Sequence, residues 1–405
     1  VPTEQLLLSL RVQYAPNVQR ETIEDLLSKY ETLWALGDSQ MSTAGVEAKA
    51  LAFSSLCYPC EQSIISAAQL LESFPSLSTL DVLERIFPAN SESGLLHGEA
   101  AIMISQVLCF SDPIAKDNGM AYRLVSVENA REVSQSNDGC TEALPPPSLT
   151  LHFSVPGSRP CTIVTYGGGY EPVMPSELPP NWSEVVIKMA QSAALGNDIC
   201  LIGPKGEGKS YLARHFAAAM GYIQTETLFL YDDMTARDLL QRRSTNARGE
   251  SIWESTPLGL AMESGRLCIL DGLHRLGAGT IAALVRLIQD REISMYDGAT
   301  FVSPRRWEHL TKTLQIPVAN LRLRNVRPIH PAFRILGLAD PSCQRSRRWL
   351  TNEVMQLFHY FTLPPIVDFV PLVTKAIPAC PLSIVEKLVM LRKKLLDAAR
   401  DATSP

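Results

Sequence analysis

Residues 199–210 of this 405-residue chain read Ile199-Cys-Leu-Ile-Gly-Pro-Lys-Gly-Glu-Gly-Lys-Ser210, and this stretch decides the fold. Its second part matches the pattern G-x-x-x-x-G-K-[S/T], between a short apolar run and a helix-like segment, 211–220. Glycines in such a turn let backbone N–H groups converge on phosphate, and the positive end of the following helix adds attraction. A glycine-rich turn with a chance Lys-Ser pair is the alternative. The strand-loop-helix context favours a phosphate-binding loop (P-loop).

The last two residues of the P-loop have separate expected tasks. Lys209 is expected to reach the β- and γ-phosphate oxygens. Ser210 is expected to offer its hydroxyl to Mg²⁺, an ion that takes few protein ligands and keeps most of its waters. The predicted cofactors are therefore ATP and Mg²⁺. The predicted nucleotide-binding residues are Gly203, Pro204, Lys205, Gly206, Glu207, Gly208, Lys209, Ser210 and Tyr211.

An acidic residue ends the apolar run Leu267-Cys-Ile-Leu-Asp271. A phosphate-bound Mg²⁺ favours a carboxylate at the tip of a neighbouring buried strand. Asp271 is therefore predicted to be the second metal residue, together with Ser210, and a catalytic residue. In P-loop hydrolases of this kind a Glu normally comes next and activates the attacking water, whereas here Gly272 follows. His274 either substitutes as a catalytic residue or serves as a structural hydrogen-bond partner.

A further acidic residue closes the run Phe333-Arg-Ile-Leu-Gly-Leu-Ala-Asp340. The strand in this run is expected beside the 267–270 strand, which would bring Asp340 near the γ-phosphate as a catalytic sensor. An amide is usual there because it can both donate and accept hydrogen bonds. A carboxylate is repelled by a triphosphate unless it is protonated or binds metal. Asp340 therefore weakens the case for fast hydrolysis.

Arginines are concentrated between residues 322 and 348, where Asp340 is the only acid. Such a cluster can be a solvated face, a nucleic-acid patch, or an edge that supplies an arginine finger to a neighbour's nucleotide. The better finger candidates are the three that follow the sensor strand. The arginines of the cluster are Arg322, Arg324, Arg327, Arg334, Arg345, Arg347 and Arg348.

Composition narrows the class of protein. The chain is 46% hydrophobic and 20% charged, as is ordinary for a globular protein. No apolar run approaches the roughly 18 residues that cross a bilayer, so no membrane span is predicted. A net charge of −5 argues against nucleic acid as a partner. Because the chain starts at Val1, we expect an internal piece of a longer protein.

Changes in pattern along the chain predict four segments. Residues 1–98 have helical periodicity, 99–180 are β-rich and linker-like, 181–364 alternate strands and helices, and 365–405 are helical again. The segment Tyr166-Gly-Gly-Gly-Tyr170 is expected to be a flexible turn. The alternating segment predicts an α/β core: a parallel five-stranded sheet with helices on both faces. Its strands are predicted at 199–202, 227–231, 267–270, 333–338 and 358–363.

Five strings resemble the dynein-related and MoxR-like branch of AAA+ ATPases and, more closely, the von Willebrand factor A domain-containing protein 8 family. In order, they are DICLIGPKGEGKS, LYDDMTARDLLQRR, LCILDGLHRLGAGT, LVRLIQDREISMYDG and HPAFRILGLADP. The resemblance implies an AAA+ P-loop NTPase core with helical lid segments and a β-rich linker. Residues 1–98 then correspond to the lid of a preceding AAA+ module, and 233–265 to a hairpin insertion. It also implies a mitochondrial location, ATPase activity, further AAA+ modules in the same longer chain, and a lid arginine beyond Pro405.

Two hypotheses for function follow from these residues. In the first, the module binds ATP with Mg²⁺ and hydrolyses it, driving the remodelling of a protein substrate. In the second, it is a nucleotide-binding structural module with little or no hydrolysis, as Gly272 in place of the usual Glu suggests. A nucleic-acid motor using the arginine cluster is a third alternative, which the acidic net charge disfavours.

Overall fold

A computed structural model of the chain describes residues 3–41, 61–87, 122–130, 147–156, 160–174, 178–341, 349–350, 352–366 and 369–403. The described α-helices, α1–α15 in chain order, are Thr3–Ser9, Arg20–Met41, Glu61–Ser73, Thr79–Ile86, Pro180–Ala194, Lys209–Ala219, Ala236–Leu240, Pro257–Ser264, Ala278–Ala282, Val285–Gln289, Pro304–Glu308, Val318–Leu323, Asn352–Met355, Val370–Ala376 and Leu382–Thr403. The described strands, β1–β13, are Arg123–Ala130, Ser148–Ser154, Cys161–Tyr166, Ile199–Ile202, Thr225–Phe229, Gln241–Thr245, Ser251–Ser255, Leu267–Asp271, Ile293–Ser294, Thr300–Val302, Val326–Pro328, Arg334–Ala339 and His359–Thr362. None of these described helices is long and apolar enough to cross a membrane.

The N-terminal helices pack against the later part of the chain through α3 and α4. A capping box between Ser78 and Asp81 starts α4, since each side chain accepts a hydrogen bond from the other residue's backbone N–H. Arg85 lies on the buried face of α4 and donates to the Gln191 side chain of α5 at 2.7 Å. Burial lowers the pKa of Arg85 to about 10. The N-terminal helices are thus joined to the core by a buried polar contact.

Strands β1, β2 and β3 form an antiparallel sheet with β2 in the centre. Alternate residues of β2 are buried, as expected when one face of a sheet packs on a core. The prediction of a flexible turn after β3 is wrong. The Gly168 N–H donates to the Met220 carbonyl at 3.1 Å, and a Cβ at Gly168 would lie 2.2 Å from the Gly221 oxygen. The glycine segment is therefore docked on the end of α6, where a side chain would not fit.

The central sheet has five parallel strands in the order β13-β4-β12-β8-β5, which confirms the predicted α/β core. Every residue of β4 is buried, so both faces of the sheet are covered there. The largest difference from prediction is at β5, which spans Thr225–Phe229 instead of 227–231. β5 pairs with β8 up to Phe229 opposite Asp271, so the two strands end together. Tyr231 lies past the ladder and is exposed.

The β6–β7 hairpin lies between α7 and α8, within the stretch expected to hold an insertion. Gln241 at its base is buried and accepts hydrogen bonds from the N–H groups of Tyr296 and Asp297, at 2.7 and 3.1 Å. Trp253 stacks on Tyr296 with ring centroids 5.7 Å apart. The hairpin is thus held against the turn between β9 and β10, which form a second small sheet with β11.

Two helices, α14 and α15, follow the last strand of the central sheet. The long helix α15 contacts α14 and buries Val385, while its residues Leu388 and Leu391 are exposed. The boundaries between the predicted segments, after residues 98, 180 and 364, stay predictions.

Candidate nucleotide-binding site

The P-loop connects β4 to α6 and is shaped by its glycines. The Gly203 N–H donates to the Ala339 carbonyl at 3.1 Å, which ties the start of the loop to β12. Gly208 has φ +105°, and a Cβ there would lie 2.4 Å from the Trp182 ring. Gly206, at φ +81°, faces open space. The loop therefore needs glycine at 208 and leaves room for a ligand beside 206.

The nine predicted nucleotide-binding residues differ in exposure. The Lys209 side chain is only 10% exposed, while Ser210 and Tyr211 of the first turn of α6 are exposed. Tyr211 also lies against the ring of His215, with centroids 4.6 Å apart. The remaining loop residues are Gly203, which is buried, Glu207 and Gly208, which are partly exposed, and Pro204, Lys205 and Gly206, which are exposed.

Lys209 makes three hydrogen bonds with its ammonium group. It donates to the Gly203 and Pro204 carbonyls at 2.6 and 3.0 Å and to the Asp340 carboxylate at 2.5 Å. The structure thus brings the predicted P-loop lysine and the predicted sensor together, although 131 positions separate them. A largely buried ammonium at the mouth of a glycine loop suits an anionic ligand.

Asp271 lies at the carboxyl end of β8, opposite Leu338 of β12 and Phe229 of β5. Its side chain is partly exposed and makes no hydrogen bond or ion pair with any other described residue. The carboxylate is therefore available to a ligand. It is one strand away from the P-loop strand, since β12 lies between β8 and β4.

Gly272 adopts φ +94°, in the left-handed region that favours glycine. Its N–H donates to the Leu338 carbonyl at 3.0 Å, and a Cβ would approach the Leu230 oxygen to 3.2 Å. Any side chain at position 272 would thus be strained in this backbone conformation.

His274 faces Asp340 with both of its ring nitrogens. Nδ1 accepts a hydrogen bond from the Asp340 N–H at 3.0 Å, and Nε2 lies 3.5 Å from the Asp340 carboxylate. Burial lowers the pKa of His274, and the Asp340 carboxylate opposes this shift only in part. Of the two roles open for His274, this geometry favours the structural partner over the catalytic residue, because both ring nitrogens lie against Asp340.

Sequence reasoning missed two contacts of the P-loop. Arg392 of α15 donates to both carboxylate oxygens of Glu207, at 2.8 and 2.9 Å, and lies 4.0 Å from the centre of the Phe369 ring. A lid arginine was expected only beyond Pro405. Trp182, which packs under Gly208, donates its indole N–H to the Pro364 carbonyl at 3.0 Å. Glu207 and Trp182 thus connect the loop to the segment after β13.

The described arginines of the cluster, at 322–334, do not form one surface. Arg334 is partly buried, which lowers its pKa, and it donates to the Pro331 and Phe333 carbonyls. Arg327 pairs with Glu263 at 3.0 Å. Arg322 and Arg324 are exposed on and just after α12. The three arginine-finger candidates, Arg345, Arg347 and Arg348, lie outside the described residues.

The residues present fit a nucleotide with Mg²⁺. The open cradle beside Gly206 and the largely buried Lys209 suit phosphate, and the carboxylate of Asp271 and hydroxyl of Ser210 are donors that Mg²⁺ accepts. Within the described ranges, no three His, Cys, Asp or Glu side chains gather to hold a metal by themselves. Such a site suits an ion held mainly by phosphate oxygens and water.

Comparisons with known proteins agree with this architecture. Residues 198–358 match the AAA domain of the dynein-related subfamily. The chain is 34% identical over 395 residues, 96% of its length, to von Willebrand factor A domain-containing protein 8 of Mus musculus, and spans 19% of that protein. It is 35% identical over 107 residues to Protein NorQ of Paracoccus denitrificans, which covers 26% of this chain and 39% of that protein.

Similarity to solved structures is too distant to add to the assignment. NtrX from Brucella abortus, for example, aligns with a TM-score of 0.29 and 15% identity, over 44% of this chain and 35% of that one. The family match and the extended similarity to the mouse protein cover the P-loop, the central sheet and the segments on both sides. Residues 198–358 are thus an AAA domain of the dynein-related subfamily, and the chain as a whole is similar to von Willebrand factor A domain-containing protein 8.

Proposed function

We propose that this AAA+ module binds ATP with Mg²⁺ at the P-loop and that ATP hydrolysis there moves the helices α14 and α15 relative to the core, remodelling a protein substrate. The observation that carries the binding step is the largely buried Lys209 ammonium, paired with Asp340 at the mouth of a glycine loop. Lys209 would hold phosphate oxygens, the loop N–H groups would orient them, and Mg²⁺, once bound by Ser210 and Asp271, would offset the charge of the phosphates.

The contact of Arg392 Nη2 with both carboxylate oxygens of Glu207 supports coupling between the P-loop and α15. Because it joins α15 directly to the P-loop, a change in the loop on ligand binding alters the position of the helix.

Further AAA+ modules of the same longer chain are the proposed neighbours, and a mitochondrial location is proposed with them. Fractionation of cells that produce the full-length protein tests the location.

Lys209→Ala tests the binding step. We expect ATP affinity in the presence of Mg²⁺ to fall at least about a hundredfold, because a charge-assisted contact from a largely buried group is lost. Isothermal titration calorimetry on the 405-residue chain measures it. Lys312→Ala is the matched control, since that side chain is 76% exposed and pairs with Glu308 instead of a P-loop residue. Undiminished affinity in Lys209→Ala would sink the site assignment.

A second candidate function is a nucleotide-locked structural module, in which bound ATP stabilises the core without being turned over. The left-handed turn at Gly272 favours it, because no water-activating Glu can be placed there without strain. A single-turnover hydrolysis assay separates the motor from the structural module. It uses the full-length protein with the P-loop lysines of the other modules mutated. Conversion of bound ATP supports the motor; bound ATP recovered intact supports the structural module.

A further inference from the structure

The Asp340 carboxylate accepts a hydrogen bond from the Lys209 ammonium, a donor that a terminal phosphate would also need. An ammonium group has three donors, and Lys209 uses them on the Gly203 carbonyl, the Pro204 carbonyl and the Asp340 carboxylate. The two carbonyls belong to a backbone that is tied to Ala339. The carboxylate belongs to a side chain with rotatable bonds. It is therefore the acceptor that an incoming phosphate displaces most readily.

We propose that Asp340 is a specificity-determining residue: its carboxylate stands in for the terminal phosphate, so that without Mg²⁺ the site binds nucleoside diphosphates more tightly than triphosphates. This inference rests on the proposed function and concerns the same site. A diphosphate has no γ-phosphate, so the loop N–H groups can hold its β-phosphate while Lys209 keeps its contact with Asp340. A triphosphate adds negative charge beside the Asp340 carboxylate, and the two like charges repel.

His274 and Mg²⁺ make the triphosphate state accessible. His274 Nε2 lies 3.5 Å from the second carboxylate oxygen of Asp340, so it offers another partner when Lys209 is taken by phosphate. Its Nδ1 accepts the Asp340 N–H and keeps the backbone in place. Mg²⁺ offsets the added charge of the triphosphate. The metal ion therefore decides how strongly Asp340 discriminates between the two nucleotides.

The test compares ADP and ATP binding in Mg²⁺ and in EDTA, by calorimetry on the 405-residue chain. The variants are Asp340→Asn and Asp340→Ala, with Asp290→Asn as the matched control. Asp290 is exposed and lies at the opposite edge of the sheet, so it repeats the charge change away from the P-loop. In EDTA we expect wild type and the control to favour ADP about tenfold, and both Asp340 variants to lose this preference. In Mg²⁺ we expect a much smaller difference.

The outcomes separate this inference from the proposed function. If the wild type binds neither nucleotide in Mg²⁺, the proposed function itself fails. If both nucleotides bind, and the ratio of ADP affinity to ATP affinity in EDTA is the same in Asp340→Asn as in wild type, only the role of Asp340 is overturned. Circular dichroism shows whether each variant folds. If neither Asp340 variant folds, the ADP and ATP affinities of the wild type in EDTA decide. A preference for ATP would contradict the proposal.

Discussion

The two edges of the central sheet treat their charged groups differently. At the amino-terminal edge, the Asp198 side chain is fully buried and is held by Arg291 in two hydrogen bonds, at 2.7 and 3.0 Å, and by the Ile335 N–H at 2.8 Å. His359 is buried between Ser66 and Ser192, and burial lowers its pKa to about 3. These polar groups are saturated by the protein itself.

At the carboxyl-terminal edge, by contrast, one carboxylate has no partner among the described residues. Asp271 has no partner among the described residues, and the Lys209–Asp340 pair is 10% and 27% exposed at the mouth of the loop. A cleft of about 610 Å³ lies at the amino-terminal edge, yet it is lined by Asp198, Arg291 and His359, which already pair with other groups. Cleft volume therefore does not locate the site. In open α/β sheets, ligands bind beyond the carboxyl ends of the strands, where this chain keeps its available charges.

Asp198→Asn should have the largest effect on folding and leave nucleotide binding intact. The change leaves the Arg291 guanidinium without its carboxylate in a buried setting, which costs about 3–5 kcal/mol of unfolding free energy. Urea denaturation measures this cost, with exposed Asp290→Asn as the control. If the nucleotide affinity of the folded variant also collapses, the two edges are not separate in role.

Asp271→Asn should have the opposite profile. Because its carboxylate has no partner among the described residues, folding stability should change little. Mg²⁺-dependent nucleotide affinity should fall about 10–100-fold, the usual loss when a residue supporting a metal is changed. Calorimetric titration in Mg²⁺ and in EDTA measures the nucleotide affinity with and without the metal. Equal weakening in both conditions would contradict a role in holding the metal.

The sequence predicted the parts of this arrangement that are local. The strand-loop-helix around Gly208 is encoded within one short stretch, and five apolar runs were enough to predict the parallel sheet. The ends of β5 were missed because they are set by the length of its neighbour β8. Likewise, apolar runs cannot show that the glycines after β3 are docked on α6.

Contacts between distant positions were beyond the sequence patterns. The pair Lys209–Asp340 spans 131 positions, and Glu207–Arg392 spans 185. Each residue is an ordinary charged side chain in its own segment, and only the fold decides its partner. The interpretation of Asp340 as a sensor near phosphate followed from strand order. Its use of the P-loop lysine as a partner depends on side-chain geometry.

A substitution at Gly272, at the carboxyl-terminal edge, should have the smallest effect on stability of those considered. Gly272→Ala should cost about 1–2 kcal/mol, because an L-residue is strained at φ +94°. Gly279→Ala is the matched control: that glycine lies in α9, meets nothing within 4 Å, and should be neutral or slightly stabilised. Thermal unfolding of both variants measures the difference.

The same strain decides what a restored glutamate can do. Gly272→Glu supplies a carboxylate but must either hold the left-handed conformation or shift the turn that positions Asp271 and His274. We therefore expect it to be destabilised like Gly272→Ala and to hydrolyse ATP no faster than wild type in single-turnover assays. A stable, faster Gly272→Glu would show that the turn adapts at no cost, and that the missing carboxylate alone limits the site.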